Sequence, residues 1–342
     1  MRAMRRSVLL ATFLLSALNA APAVAAAQCT LNVLTTIQLR PASNMPMIDA
    51  MIGDKRVGLL VDTGGGMSSL TKRAVRELNL QTGQYVNSDG TILTLKDVRG
   101  QTEALQVRLP SITLGTVRQE GVYFMVLPGE DNSGPSMENF GGILGTDVLR
   151  NVDVELDFAA DKIQLIAPNQ CRGNVVHWQA SAVAVVPITL DRFGQLTFRM
   201  QLDGRRVTAM LDTGASDTVL NLDTARRTFQ IDVNGPDVEK VGELTGGYSA
   251  NMYRRRFKSL AFEGVTVSNP MIVMMPNMMG TVNPGAPRTG SMIREDRNGL
   301  PDVILGMNVL SQMHLYIGYK ERKLYITDSS AQAAPAPAAA SK

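Results

Sequence analysis

Apolar residues in this chain fall in short runs closed by Gly, Asp or Asn, the pattern of strands joined by tight turns. Two of these runs, residues 57–61 and 207–211, each follow a pair that predicts a turn, Gly53-Asp54 and Asp203-Gly204. They are copies of each other. With Asp62 placed over Asp212, the flanks match without a gap from nine positions before to eight after, Val57 over Val207 and Leu70 over Leu220. Each copy therefore predicts strand, turn, then a second strand that ends at the Asp.

A second matched block places residues 143–166 over 304–326. Ile143-Leu144-Gly145 lies over Ile304-Leu305-Gly306, and Lys162-Ile163 over Lys323-Leu324. This block predicts an apolar strand ending in Gly, a short helix (146–150 and 307–312), then a hairpin turning at 159–161 and 320–322. Such duplication organises the whole chain as two tandem lobes, residues 30–168 and 184–327, with 169–183 as linker. Between the blocks, runs at 91–95, 104–109 and 265–267 read as further strands. The Gly/Pro/Asn-rich stretch 276–301 reads as a long loop, and the Ala/Pro-rich 328–342 as a disordered tail. Low aromatic content (5%), 30 glycines and 44% hydrophobic residues suit an all-β chain with a core in each lobe.

The first 27 residues read as a signal peptide: Arg2, Arg5 and Arg6, an apolar run over 8–18, then small residues over 20–27. That run is too short to span a bilayer comfortably, so no stable membrane span is expected after cleavage, and the expected location is periplasmic or secreted. The whole net charge of +3 is carried by those three arginines. A mature chain near neutrality has no electrostatic footprint for nucleic acid, and Arg254-Arg255-Arg256 reads as a solvated strand or loop. Export permits disulfides, and Cys29 and Cys171 are the only cysteines, so a bridge between them is expected, with two buried free thiols as the alternative.

The chemistry lies in the repeated tripeptide. A single Asp-Thr-Gly is a common turn, but Asp62-Thr63-Gly64-Gly65-Gly66 and Asp212-Thr213-Gly214-Ala215-Ser216 occupy the same place in two copies of one repeat, each after an apolar strand. These residues, together with the Ile-Leu-Gly blocks, resemble the retropepsin-like aspartic peptidases, in particular exported bacterial two-lobed, single-chain members. The resemblance implies two tandem β-barrel lobes related by pseudo-twofold symmetry, with Asp62 and Asp212 facing each other as a catalytic dyad. Two close carboxylates share one proton. One is then general base on a water, while the protonated one polarises the peptide carbonyl and later protonates the leaving nitrogen. Thr63 and Thr213 would bond across the junction, Gly64 and Gly214 would admit backbone N–H groups, Ser216 would donate to Asp212, and Ser68 or Ser69 would act less directly on Asp62. Gly65-Gly66 departs from the commoner Ala-Ser or Ala-Asp and predicts a looser first loop. Flap tips are expected at Asn87 to Gly90 and at Thr245 to Tyr248, the latter including Gly246, with ordinary surface hairpins as the alternative.

Other chemistries lack material. With only two histidines, His177 in the linker and His314 read as a satisfied edge residue, neither a Ser/His/Asp triad nor a histidine metal site can be assembled. Glu295, Asp296 and Asp302 read as a solvated loop rather than a calcium site. No cofactor and no metal is expected. The reading is thus an aspartic endopeptidase acting on a polypeptide, another exported protein, as a chain that can work as a monomer because both half-sites lie within it. The alternative is a peptide-binding or scaffolding protein that keeps the cleft without cutting.

Overall fold

The computed structural model describes residues 29–42, 45–86, 90, 95–96, 102–103, 105–127, 139–191, 194–244, 250–276 and 301–328. The expected signal segment, the C-terminal tail beyond Asp328 and most of the loop at 276–301 lie outside these residues.

Each half is built around the predicted hairpin. Strands Met45–Ile52 and Lys55–Val61 pair antiparallel in the first half, and Leu196–Leu202 and Arg205–Leu211 in the second. Their turns use positive φ at Gly53 (+61°) and at Asp203 and Gly204 (+47° and +73°), which explains the Gly/Asp pair at each site. The predicted Ile-Leu-Gly strands, Phe140–Leu144 and Val303–Leu305, each insert between two others. One neighbour is parallel, the strand that ends at the Asp; the other is antiparallel, a short strand just after the Asp-Thr-Gly loop (Ser69–Leu70, Val219–Asn221). The loop is thereby trapped between three strands, and both lobes form curled ten-stranded sheets.

The short helices after the glycines span Thr146–Leu149 and Met307–Leu310, slightly shorter than expected. Two further helices, Lys72–Glu77 and Leu222–Thr228, were not evident from the pattern; they begin at Thr71 and Asn221, whose side chains accept backbone N–H groups. Among the other predicted strands, Leu105–Arg108 and Val265–Ser268 form, while of 91–95 only Leu95 lies within the described residues, in the strand Leu95–Lys96.

The halves are joined by a sheet that neither could make alone. Its six strands run in the order Val33–Gln38, Lys162–Ile166, Asp153–Asp157, Met313–Gly318, Lys323–Asp328, Ala184–Pro187. The seam is the pairing of Asp153–Asp157 with Met313–Gly318, Leu156 opposite Leu315. His314 therefore sits in a central strand, not at an edge. It is 2% exposed and stacks on Trp178, ring centroids 3.8 Å apart. The segment 169–183 has no strand but is not a loose linker: Val175 and Trp178 are buried against Tyr316 and Tyr325, and Trp178 Nε1 donates to Thr327 Oγ1 at 2.9 Å.

The Cys29–Cys171 disulfide clamps this segment, with Cα atoms 5.5 Å apart. Non-reducing mass spectrometry of the mature protein should recover the two cysteines in one linked peptide pair; two alkylatable thiols would refute the bridge.

Beneath the seam, Glu155 is fully buried between the two histidines, His177 Nε2 at 2.7 Å and His314 Nε2 at 2.9 Å. Burial acts to raise its carboxyl, but the hydrogen bonds and charge of His177 and His314 outweigh it and hold the group down at about 2. This contribution to stability is present above the unfolded carboxylate range and lost as pH falls through about 2. Asp153 behaves oppositely, pushed up to about 6 by burial despite the Tyr316 hydroxyl 3.1 Å away. A raised carboxyl adds stability below about pH 4 and loses it as pH rises through 6. Thermal denaturation should therefore show wild type losing about 1–2 kcal/mol relative to Asp153→Asn between pH 4 and 7. A pH-independent difference would contradict the assigned shift.

Candidate active site

The two Asp-Thr-Gly loops meet at the lobe junction. Asp62 N donates to Leu144 O (3.0 Å) and Asp212 N to Leu305 O (3.1 Å), so the buried Ile-Leu-Gly strands fix each aspartate from below. Thr63 and Thr213, both fully buried, exchange hydrogen bonds across the junction. Each backbone N–H donates to the other's hydroxyl at 3.1 Å, and each hydroxyl donates onward, Thr63 Oγ1 to Leu211 O (2.9 Å) and Thr213 Oγ1 to Val61 O (2.6 Å).

The lock presses each loop against the opposite aspartate. A Cβ on Gly64 would lie 2.2 Å from Asp212 Cγ, and one on Gly214 2.5 Å from Asp62 Cγ, so no other residue fits without moving a carboxyl. The two carboxyl groups therefore lie close to each other across the junction, near enough for their charges to interact. Asp62 Oδ1 accepts from Gly64 N (2.8 Å) and Gly65 N (2.7 Å); Asp212 Oδ1 accepts from Gly214 N (2.9 Å), with Ala215 N–H a weaker second donor. Burial raises both carboxyls. For Asp62 the hydrogen bonds from Asp212, Gly65 and Gly64 work against the rise, whereas for Asp212 the Asp62 charge adds to it and takes it well above the ordinary range.

At Gly65 a Cβ would come within 2.7 Å of Asp62 Oδ2, while its N–H donates to Asp62 Oδ1 at 2.7 Å. Ser216 departs from expectation: it is exposed, and its hydroxyl faces Asp217 Oδ2 at 3.4 Å rather than Asp212. Ser68, expected to act toward Asp62, instead donates to Asp147 Oδ1 (2.6 Å) and accepts from Gly145 N (2.9 Å). Lobe two repeats this with Thr218, Asn308 Oδ1 (2.7 Å) and Gly306 N (3.1 Å). These four side chains tie each catalytic loop to the helix beneath it. The signal was present in the repeat, since Ser68 and Thr218, and likewise Asp147 and Asn308, are equivalent positions.

Gln195 gave no sequence signal. It belongs to lobe two, yet its side-chain amide donates to Gly64 O of lobe one. With Met67, Met125, Leu127 and Ile143 it lines a hollow of about 310 Å³ beside Asp62.

Of the flap candidates, Asn87, Gly246 and Tyr248 lie outside the described residues; Gly90 is an exposed bend with φ +82°. Asp302 is not part of a solvated loop: its carboxylate accepts from Thr208 N and Thr224 Oγ1, both at 2.9 Å, bracing strand against helix. The arginines at 254–256 lie on the strand Ala250–Arg256, with Arg254 paired to Glu239 and Arg255 to Asp237. No three His, Cys, Asp or Glu side chains among the described residues are grouped to hold a metal, and no helix among them is long and apolar enough to cross a membrane.

Both lobes match aspartyl protease family models. Residues 48–151 match the gag-polyprotein putative aspartyl protease and residues 198–309 the aspartyl protease model, so each lobe's Asp-Thr-Gly falls within a match. The chain belongs to the retropepsin-like aspartic peptidase family. Among solved structures, basic 7S globulin from soybean is 12% identical, over 88% of this chain and 96% of that one, with a TM-score of 0.48. A retropepsin-like aspartic protease from Rickettsia conorii is 17% identical, over 44% of this chain and 95% of that one, with a TM-score of 0.30. No curated protein sequence matches the chain.

Proposed function

We propose that this chain is an aspartic endopeptidase that hydrolyses peptide bonds in an exposed or unfolded segment of another exported polypeptide. The observation that carries this reading is the meeting of Asp62 and Asp212 at the lobe junction, each carboxyl held by its own loop's N–H groups and crowded by the other lobe's glycine. A scaffold that only bound peptide would have no use for two buried acids that raise each other's cost of ionisation.

The asymmetry of the donors assigns the roles. Asp62, with two short backbone hydrogen bonds, is the anion and general base; Asp212 carries the proton. Asp62 takes a proton from a water as its oxygen attacks the peptide carbonyl carbon. Asp212 gives its proton to the carbonyl oxygen, forming a gem-diol. The pair then returns one proton to the leaving nitrogen and recovers the other from the diol as the C–N bond breaks. No covalent enzyme intermediate and no cofactor are required. The hollow lined by Met67, Met125, Leu127 and Ile143 would receive an apolar side chain next to the scissile bond.

The test is cleavage of an unfolded protein or peptide library by purified mature protein from about pH 4 to 7, a range scanned because the pair works only with one proton between its two members, with pepstatin as inhibitor. Absence of any product across that range would end the peptidase reading.

A further inference from the structure

The carbonyls of the first catalytic loop differ in what holds them. Val61 O is taken by Thr213 Oγ1, and Gly65 O by Thr146 N and Oγ1 at 2.8 and 3.1 Å. These partners belong to the framework and cannot leave without dismantling the junction. Gly64 O, between them in the chain and next to the dyad, is instead held by the side-chain amide of Gln195, a residue at the rim of the hollow beside Asp62.

The backbone of Gln195 is tied to Asp191. Asp191 Oδ1 accepts from Gln195 N at 2.9 Å, Asp191 N donates to Gln195 O at 3.1 Å, and Gly194 N donates to Asp191 O at 3.1 Å. The turn is docked on lobe one: a Cβ on Gly194, whose φ is +89°, would lie 2.8 Å from Arg150 Cδ and 3.4 Å from Thr146 Cβ. The Gln195 side chain, by contrast, rotates about three bonds and is only half-buried. The equivalent position in lobe one is Met45, which has no N–H or O–H to offer and packs with Met47, Leu60 and Phe140. Among the described residues, only the first loop has its glycine carbonyl capped by a side chain of the opposite lobe in this way.

We propose that Gln195 is a built-in surrogate for the substrate's backbone amide: its side chain caps Gly64 O in the free enzyme and is displaced when an extended peptide lies over the dyad and donates its own N–H to that carbonyl. This rests on the peptidase reading and assigns a binding role to one further residue. An extended chain makes its main-chain hydrogen bonds to whatever backbone groups the cleft presents. A primary amide and a peptide N–H are equivalent donors, so the exchange is close to balanced and keeps a part-buried carbonyl paired before substrate arrives. Substrate must nevertheless break the Gln195 contact, and that cost appears in KM. Once released, the Gln195 amide remains at the rim of the hollow, where it meets the substrate side chain seated there.

The test compares wild type, Gln195→Ala and Gln195→Glu on unfolded casein, with the Kd of pepstatin measured by calorimetry in parallel. Removing the competing donor should lower KM and the pepstatin Kd by about two- to tenfold, the worth of one exchanged hydrogen bond, with the larger part of the change in kcat/KM lying in KM. Gln195→Glu also cannot donate to Gly64 O and places a second anion near Asp62, so the acid limb of its pH–rate profile should move to higher pH. An unchanged or raised KM and Kd in Gln195→Ala, or a glutamate variant with the wild-type pH profile, overturns the proposal. If wild type cuts nothing, the peptidase reading fails by itself, and the ratio of pepstatin Kd values still decides whether Gln195 competes for Gly64 O; a wild type that neither cuts nor binds overturns both.

Discussion

Asp62→Asn or Asp212→Asn is expected to reduce peptide cleavage by about a thousandfold or more, because each change removes one of the two proton-transfer partners while leaving the side-chain shape in place. The double variant should be scarcely worse than either single one, since the pair works as a unit. Stability should respond differently. Asp212 is raised well above its ordinary value by burial and by the Asp62 charge, so it contributes stability at acid pH that is lost as pH rises through its folded value. Wild type should therefore lose stability on going from pH 4 toward neutrality relative to Asp212→Asn, which has nothing to ionise there. Activity assays and thermal denaturation over the same pH series read both effects together. An asparagine variant that cuts as well as wild type would refute the assignment of the dyad. One that unfolds at every pH would place the aspartates in the framework rather than the chemistry.

The second large effect is expected at the threonine lock. Thr63→Val keeps the volume and the buried methyl but leaves Leu211 O and Thr213 N without their partners; Thr213→Val does the same to Val61 O and Thr63 N. Each orphaned buried group costs about 1–3 kcal/mol, so either variant should lose about 2–5 kcal/mol. The double variant should lose less than the sum, because both threonines belong to one network. Thr63→Ser and Thr213→Ser keep the hydroxyl and should recover most of the loss. Urea unfolding gives the stabilities. Cleavage should fall in step, because the lock sets the spacing at which Gly64 meets Asp212 and Gly214 meets Asp62. Valine variants within about 0.5 kcal/mol of wild type, the range of an ordinary surface change, would mean that the crossed bonds are not what holds the lobes in register.

The local architecture was legible in the sequence because duplication doubles every signal. The alternation that makes residues 57–61 a strand recurs at 207–211, and the turn demanding positive φ recurs as Gly53-Asp54 and Asp203-Gly204. The Asp, Thr and Gly of each loop could be singled out because the same three residue types stand after the same strand twice. Short-range preference governs all of these features, and neighbours in sequence carry it.

Tertiary structure decided what depends on residues far apart in the chain. That Asp153–Asp157 pairs with Met313–Gly318 into a sheet common to both lobes follows from how two folded halves meet, and nothing within either five- or six-residue strand names its partner in the other half. His314 looked like an edge residue because its strand's second neighbour comes from the other half. Ser216 looked like a partner for Asp212 because it is close in sequence, yet the loop turns its side chain outward. Ser68 was turned toward Asp147, a residue 79 positions away. Gln195 is the clearest case: as one polar residue in a turn it has no distinguishing pattern, and only the docking of that turn on the opposite lobe brings its amide to Gly64. The sequence by itself determined the strands, the turns and the paired acids, because these are written in local periodicity and repetition; only the tertiary structure decided the seam and the neighbours of Asp62 and Asp212, because these are set by which surfaces the two lobes bury against each other.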